Sequence, residues 1–256
     1  MIQVPDDKRT IISGLFSNWD ETMIWSYLQG HMGCAWTDNL TEPKSARIII
    51  GDFCFLAGTP DPSLIIDIPT GFKSEQMLMI PKSGNWNYLI EDIYKERHVK
   101  SKRYATAKNN DFNLELLKEY IDKLPKEYTI KRINKELYTK ILEEKWSRDL
   151  CSQFASYEDY KERGLGFAAI YNNGEIVSGA SSYTVYDNGI EIEIDTKQGH
   201  RRRGLALASA ASLIKECIAN GIYPSWDAAN KESVALAEML GYNVKNEYLT
   251  YIVLVK

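Results

Sequence analysis

The most informative stretch of the sequence is IEIEIDTKQGHRRRGLALA, residues 190–208. Its first part alternates isoleucine with acid, which is the period-two pattern of a β-strand that has one apolar and one polar face. Its second part places three arginines before a glycine and then opens an apolar run rich in alanine. The stretch therefore predicts a strand over residues 190–196 and a helix over residues 203–220, joined by a basic turn.

A basic turn at the start of a helix is suited to bind an anion. The N-terminus of a helix offers unpaired backbone N–H groups and a partial positive charge, and Gly204 lacks the Cβ that would hold a phosphate away. Arg201, Arg202 and Arg203 add side-chain charge. We therefore predict that the turn binds a diphosphate. The competing interpretation is a solvated basic turn without a ligand.

The residues around this stretch predict its neighbours in a sheet. Asn173-Gly174 and Asn188-Gly189 are hairpin signals, so the strands before and after them are expected to be antiparallel. The predicted elements are strands over residues 166–171, 175–183, 190–196, 225–227 and 247–255, and helices over residues 203–220 and 231–240. One long helix joins the strand at 190–196 to the strand at 225–227, which predicts that these two strands are parallel neighbours with a right-handed crossover.

The long helix should pack by one apolar face. Leu207, Ala211, Ile214 and Ile218 recur at helical spacing, and Gly221 follows as a stop signal. This predicts that these four side chains face the sheet.

The first part of the chain also combines helix-like and strand-like sequence patterns. Its predicted elements are a helix over residues 20–29, strands over residues 46–57 and 76–80, and a helix over residues 113–124. The charged turn Lys-Leu-Pro-Lys-Glu at residues 123–127 suggests a domain boundary there, and no internal repeat is evident. We expect an α/β protein with a mixed, mostly antiparallel sheet and flanking helices, divided into a smaller α/β domain at residues 1–125 and a second domain at residues 126–256.

Composition excludes several classes of protein. The chain has 256 residues, 44% of them hydrophobic, and a formal net charge of −4, so a folded core is expected and no general attraction to nucleic acid or to an anionic membrane. No apolar run has the length of a membrane span or signal segment, which predicts a cytoplasmic protein. The four cysteines and three histidines are scattered, so we expect no metal site.

The acidic residues of the decisive strand are candidates for proton transfer. Period-two alternation places Glu191, Glu193 and Asp195 on one face, where neighbouring carboxylates raise one another's pKa and can hold an ammonium group or take its proton. Glu193 and Glu191 are the candidate general bases, and Asp195 is less favoured because it adjoins the basic turn. The competing interpretation is a row of acids that faces solvent from a half-buried strand.

The basic turn carries a family resemblance. Arg201-x-x-Gly204-x-Ala206 resembles the Q/R-x-x-G-x-G/A loop of the GCN5-related N-acetyltransferases, and the later Asn230-x-x-Ser233 is similar to that family's C-terminal pattern. The run PSWDAAN at residues 224–230 further resembles a bacterial subgroup of the zwittermicin A resistance type, in which an N-terminal region precedes the transferase core. The resemblance to the core covers residues 128–256.

The resemblance implies that the cosubstrate is acetyl-CoA or another acyl-CoA. The diphosphate-binding residues that it implies are Arg201, Arg202, Arg203, Gly204, Leu205 and Ala206. It also implies that the pantetheine arm pairs with the backbone of Ile194 and Thr196, in a gap where this strand splays from the chain near Trp226. Asn230 and Ser233 match positions that line the far side of the cosubstrate.

The resemblance implies the transfer of an acetyl group to the amine of a small molecule, directly within a ternary complex. A row of acids favours cationic acceptors, such as an amino-containing antibiotic or metabolite. Ala237 stands where many family members have a tyrosine that protonates the leaving thiolate, which leaves Ser233, Tyr242 or a water as alternatives. Two other functions remain open, namely a non-catalytic acyl-CoA sensor and an interaction domain that keeps only the fold. The sequence also leaves the oligomeric state open.

Overall fold

The computed structural model describes residues 1–108 and 111–255. It divides into two compact units. The first contains Met1–Arg103 and the C-terminal residues from Glu247 onward, and the second contains Tyr104–Asn246. The divisions at residues 103 and 246 differ from the single boundary expected at residue 125.

The first unit begins with a short strand, a 3-10 helix at Asp6–Phe16 and a mixed run of strands and helices. The elements in chain order are β1 (Ile2–Gln3), α1 (Thr22–Leu28), β2 (Cys34–Thr37), β3 (Ser45–Ile50), β4 (Phe53–Gly58), α2 (Ser63–Ile66), β5 (Gln76–Pro81), α3 (Asn85–Tyr94) and β6 (His98–Thr106). The last residues of β6 belong to the second unit. The helix predicted at 20–29 and the strands predicted at 46–57 and 76–80 are confirmed.

The sheet of the first unit starts as an antiparallel meander. β1, β2, β3 and β4 pair in that order, each antiparallel to the next, and β4 then pairs in parallel with β5. The crossover between β4 and β5 contains the single-turn helix α2. On its other side β5 pairs antiparallel with residues 251–254 of β13 (Val244–Leu254), and the sheet continues beyond β13 with β6.

A buried arginine anchors the short crossover of the first unit. The Arg47 side chain is fully buried, and its guanidinium donates hydrogen bonds to the carbonyl oxygens of Leu64 (2.8 Å) and Asp67 (2.6 Å) at the end of α2. The same guanidinium lies 4.9 Å from the ring centre of Trp36. Burial lowers the pKa of Arg47, and the carbonyl and ring contacts compensate for the lost hydration of its charge.

The second unit continues with helices, a meander and a crossover. Its elements are α4 (Leu114–Asp122), β7 (Tyr128–Arg132), α5 (Lys135–Glu143), α6 (Tyr157–Arg163), β8 (Gly166–Tyr171), β9 (Ile176–Tyr186), β10 (Gly189–Thr196), α7 (Leu205–Ala219), β11 (Tyr223–Ser225), β12 (Asp227–Ala228), α8 (Lys231–Met239) and β13 (Val244–Leu254). A 3-10 turn at Arg148–Leu150 lies between α5 and α6. β13 begins in the second unit and ends in the first.

The predicted meander of the second unit is confirmed, and so is the parallel pairing across the crossover, although the paired strand is Tyr223–Ser225 and not residues 225–227. β7, β8, β9 and β10 pair antiparallel in that order, and β10 pairs in parallel with β11 across α7. The hairpin glycine Gly174 has φ +84°, and Asn188 has φ +60°, as the tight turns at these positions require.

Both units share one strand topology. In each, an antiparallel meander of four strands is followed by a crossover helix and a fifth strand that pairs in parallel with the fourth, and a further helix follows. The topology therefore repeats although the sequence shows no internal repeat. Strand pairing tolerates many sequences with the same period-two pattern, so two copies of one topology need not share residues that sequence inspection could match.

The packing of α7 explains where the second unit begins. α7 contacts the sheet through β8, β9 and β11 and also contacts α4, so apolar side chains are buried on more than one of its faces. Of the four residues expected on one apolar face, Ala211 and Ile214 are fully buried, whereas Leu207 and Ile218 are half-buried. Because α4 packs on α7, residues 114–122 belong to the second unit and not to a domain that ends at residue 125.

Candidate active site

The sheet of the second unit contains a gap beside β10. β10 pairs with β11 only as far as Glu191 and Ser225, whereas on its other side β10 pairs with β9 as far as Thr196. After Ser225 the chain leaves β10, and β12 pairs with residues 104–105 of β6. Within the described part of the chain, no strand pairs with residues 192–196 on this side. The splay that the resemblance implies near Trp226 is therefore present.

Ile194 and Thr196 direct their backbone groups into this gap. In an antiparallel ladder, every second residue bonds to the same neighbouring strand, and the Lys197 N–H donates to the Val177 carbonyl of β9 at 2.9 Å. The odd-numbered residues of this segment therefore bond to β9, and the even-numbered residues face away from it. An extended ligand in the gap could pair with Ile194 and Thr196 as an added strand would.

Thr196 already has local partners on the gap side. Its N–H donates to the Asp195 carboxylate at 3.2 Å, and its carbonyl accepts from Arg201 Nε at 3.1 Å. Neither bond involves Ile194. A ligand that pairs with Thr196 must exchange these bonds, whereas pairing with Ile194 does not disturb them.

The basic turn has the geometry of an anion site. Gly204 is the N-cap of α7 with φ +77°, and Arg202 has φ +61°, so two residues close together adopt the left-handed conformation. The first hydrogen bond within α7 runs from the Ala208 N–H to the Gly204 carbonyl at 2.9 Å. The backbone N–H groups of residues 205–207 therefore precede the hydrogen bonds of the helix. A Cβ added at Gly204 would meet nothing within 4 Å. Backbone N–H groups at a helix N-terminus, next to residues in the left-handed conformation, are a common arrangement for anion binding.

The three arginines of the turn differ in their contacts. Arg201 bonds to the Thr196 carbonyl, and Arg203 Nη1 donates to the Tyr128 hydroxyl at 2.9 Å. Residues 201–204 are all exposed. Each guanidinium carries five N–H donors, so the bonds made by Arg201 and Arg203 leave others for an anion.

The two carboxylates favoured by the sequence analysis lie in different environments. Glu191 is only 4% exposed, and its Oε1 accepts a hydrogen bond from the Asp227 N–H at 2.6 Å, at the point where β10 and the chain after β11 separate. Glu193 is half-buried. The competing interpretation, in which the acidic side chains face solvent, is therefore wrong for Glu191.

The pKa of Asp195 is raised, but chiefly by burial and not, as the sequence predicts, by the neighbouring carboxylates of β10. Asp195 pairs with Gly179 of β9, and a Cβ at Gly179 would lie 2.6 Å from Leu150, so this face of the sheet packs against the 3-10 turn at Arg148–Leu150. The pKa of Asp195 is raised to about 6, chiefly by burial; the Thr196 N–H and Arg201 act to lower it, and Asp149 adds a smaller upward contribution. Alternation in β10 indicated the face of Asp195, but only the packing of a distant turn buries it.

The predicted far-side residues lie at the start of α8. The Asn230 side chain caps this helix, because its Oδ1 accepts from the Ser233 N–H at 2.9 Å. Ala237 is fully buried in the same helix. The Tyr242 hydroxyl is buried and donates to the Pro224 carbonyl at 2.6 Å, so it is committed to the core and is a poor candidate for the general acid.

The described residues contain neither a metal-binding cluster nor a membrane-spanning helix. Among residues 1–108 and 111–255, no group of three or more histidine, cysteine, aspartate or glutamate side chains is arranged to hold a metal ion. No helix in these ranges has the length and apolar character needed to cross a membrane.

Comparison with known proteins extends over nearly the whole chain. The sequence profile of the GNAT acetyltransferase family matches residues 13–251. The uncharacterized N-acetyltransferase YdfB of Bacillus subtilis (strain 168) is 30% identical over 247 residues, which cover 90% of this chain and 89% of that protein. A GCN5-related N-acetyltransferase-like protein from Streptococcus suis 89/1591 has a crystal structure that is 39% identical, with a TM-score of 0.90 over 96% of this chain and 98% of that one.

A more distant structure shares the fold alone. A tandem GNAT protein from the clavulanic acid biosynthesis pathway is 10% identical, with a TM-score of 0.54 over 99% of this chain and 98% of that one. These similarities confirm the predicted α/β fold with mostly antiparallel strands and flanking helices. The family profile also extends over the first unit, whereas the resemblance seen in the sequence covers only residues 128–256.

Proposed function

Because the chain belongs to the GNAT acetyltransferase family, we propose that it transfers an acetyl group from acetyl-CoA to the amine of a small molecule, directly within a ternary complex. The observation that carries this proposal is the gap beside β10, which leads from Ile194 to the basic turn. In the proposal, the pantetheine arm pairs with the backbone of Ile194 and Thr196. The diphosphate binds the amides and side chains of residues 201–206.

The energetics of the turn suit this ligand. A charge-assisted hydrogen bond contributes roughly 1.5–3 kcal/mol, so a few amides and one or two guanidiniums would bind a diphosphate with micromolar affinity or better. The open space at Gly204 supports the fit, because a phosphate could approach the amides of the first turn of α7 without a steric obstacle.

We propose one acetyl-CoA per chain, bound in the second unit. In the first unit, the crossover that corresponds in topology to residues 197–204 has the sequence GTPDPS at residues 58–63, without a cation. Asp61 Oδ1 accepts a hydrogen bond from the Ser63 N–H at 2.8 Å, so an acid already occupies the start of α2. A Cβ at Gly58 would lie 2.1 Å from the Lys44 carbonyl, which leaves no open approach.

Proton transfer is assigned to the acidic row of β10. Acetyl-CoA would supply a thioester, whose C–S bond breaks as a bond forms between the amine nitrogen and the acyl carbon. In this scheme Glu193 accepts the proton of the amine, and Glu191 is the second candidate. A strand N–H near Thr196 would stabilise the negative charge that develops on the acyl oxygen.

The acceptor is proposed to be cationic in its resting state. Three carboxylates on β10 favour an ammonium group. The resemblance of residues 224–230 to the zwittermicin A resistance subgroup supports an amino-containing antibiotic or metabolite. With Ala237 in the usual position of tyrosine, Ser233 or a water is the proposed source of the proton for the leaving thiolate.

The alternative function is an acyl-CoA sensor without transfer, which the alanine at position 237 favours. Calorimetry with acetyl-CoA tests binding, and we expect one site per chain. Release of free thiol in the presence of a panel of small amines then tests transfer. Binding without any release above hydrolysis would favour the sensor, and the absence of binding would refute both functions.

A further inference from the structure

One tyrosine outside the basic turn contacts residues on both sides of Arg201 and Arg202. Tyr128 is the first residue of β7 and is 3% exposed. Its hydroxyl accepts a hydrogen bond from Arg203 Nη1 at 2.9 Å and lies 3.1 Å from His200 Nδ1. Since arginine can only donate, the phenol hydrogen is available to donate to Nδ1 of a neutral His200. The hydroxyl therefore bridges the residue before Arg201 and the residue before Gly204.

The ring of Tyr128 is held rigidly. It packs in a buried cluster with Ala169, Val177 and Leu205, the first residue of α7. Its centroid lies 5.2 Å from that of Tyr171 and 5.8 Å from that of His200, and the His200 ring stands nearly perpendicular to it at 88°. A hydroxyl fixed in this way cannot follow the turn if the turn moves, so it constrains the turn instead.

The turn needs such a constraint. Arg202 has φ +61°, a conformation that costs a non-glycine residue of order 1–3 kcal/mol and persists only where its surroundings enforce it. His200 lies two residues before Arg202, and Arg203 follows Arg202 directly. Contacts to both residues restrict the conformation that the turn can adopt between them.

We propose that Tyr128 is a positioning residue for acetyl-CoA, acting through His200 and Arg203 to hold the diphosphate-binding turn in its binding shape. This inference rests on the proposed function of the turn. Tyr128 itself does not contact the diphosphate. Its removal should weaken the ground-state affinity for the coenzyme and leave the chemical step unchanged.

The test compares Tyr128→Phe with Tyr171→Phe. Phenylalanine keeps the buried ring of Tyr128 and removes only its hydroxyl. Tyr171 contributes ring contacts to the same cluster, with its centroid 5.4 Å from that of His200, so its variant controls for removal of a hydroxyl nearby. We expect the Kd for coenzyme A, measured by calorimetry, to rise roughly tenfold in Tyr128→Phe and to stay within about twofold in the control. With an active amine, the KM for acetyl-CoA should rise and kcat should not.

A double-variant cycle tests the route through Arg203. If Tyr128 acts by holding this guanidinium, Tyr128→Phe should weaken binding much less in an Arg203→Ala background than in the native chain. Because Arg203 is exposed, Arg203→Ala should leave the fold intact. Its Kd for coenzyme A therefore gives a second measurement, even if Tyr128→Phe lowers the stability of the protein. Native affinity in Tyr128→Phe, equal losses in the two tyrosine variants, or full additivity in the cycle would overturn the proposal. A wild-type protein that does not bind coenzyme A would instead refute the proposed function on which it rests.

Discussion

Replacing Gly204 by alanine separates the conformational role of this residue from its role in binding. Gly204 has φ +77°, and a Cβ there meets nothing within 4 Å, so alanine brings conformational strain without a clash. The left-handed conformation costs an L-residue about 1–2 kcal/mol, and alanine recovers roughly 0.4–1 kcal/mol by restricting the unfolded chain. We expect a net loss of about 1 kcal/mol in the free energy of unfolding, which lowers Tm by roughly 2–4 °C for a chain of this size.

The effect on coenzyme binding should be larger than the effect on stability. The added methyl group would stand between a phosphate and the amides of the first turn of α7. Loss of one charge-assisted hydrogen bond costs roughly 1.5–3 kcal/mol, which raises the Kd for coenzyme A about 10- to 100-fold. Calorimetry measures this affinity, and thermal unfolding without ligand measures the stability change.

The opposite end of the same helix supplies a matched control. Gly221 follows α7, has φ +68°, and a Cβ there also meets nothing within 4 Å. Gly221→Ala should therefore lower Tm by a similar amount and leave the Kd for coenzyme A unchanged. Native affinity in Gly204→Ala would refute binding of the diphosphate at this turn. An equal loss of affinity in both variants would show that strain alone accounts for the change.

Three further predictions concern the carboxylates of β10. Glu193→Gln should lower kcat by about 10²-fold or more with little change in the Kd for coenzyme A, and an unchanged kcat would remove Glu193 from the mechanism. Glu191→Ala should lower the free energy of unfolding by about 1–3 kcal/mol, because the Asp227 N–H loses its buried acceptor. Glu191→Gln keeps an acceptor oxygen and should retain most of the stability. Equal losses of the two variants in denaturant unfolding would contradict this role. Asp195 has a folded pKa of about 6, above the ordinary value of 3.8, so its proton stabilises the fold and this contribution is lost as pH rises from about 4 through 6. Asp195→Asn should therefore match the Tm of the wild type near pH 4 and exceed it at pH 7, and a difference in Tm that does not vary with pH would refute the assignment.

Local patterns in the sequence determined much of the second unit. The hairpin signals before β9 and β10, the alternation in β10, and the glycine at the start of α7 each depend on residues close together in the chain, so each could be interpreted without the fold. The basic turn and the acidic row were found in the same way. The resemblance to the acetyltransferases added the gap near Trp226 and the roles of Ile194 and Thr196.

Only the tertiary structure decided which of these groups are buried, paired or open. β10 separates from β11 after Glu191 because β12 pairs with residues 104–105, and Asp195 is perturbed because a turn near Leu150 covers its face. The contact of Tyr128 with the arginine turn joins residues that are more than seventy positions apart. The repeated topology of the two units and the return of residues 251–254 to the first sheet also depend on distant pairing. A sequence specifies such contacts only through the free energy of the whole fold, so local propensity and periodicity do not reveal them.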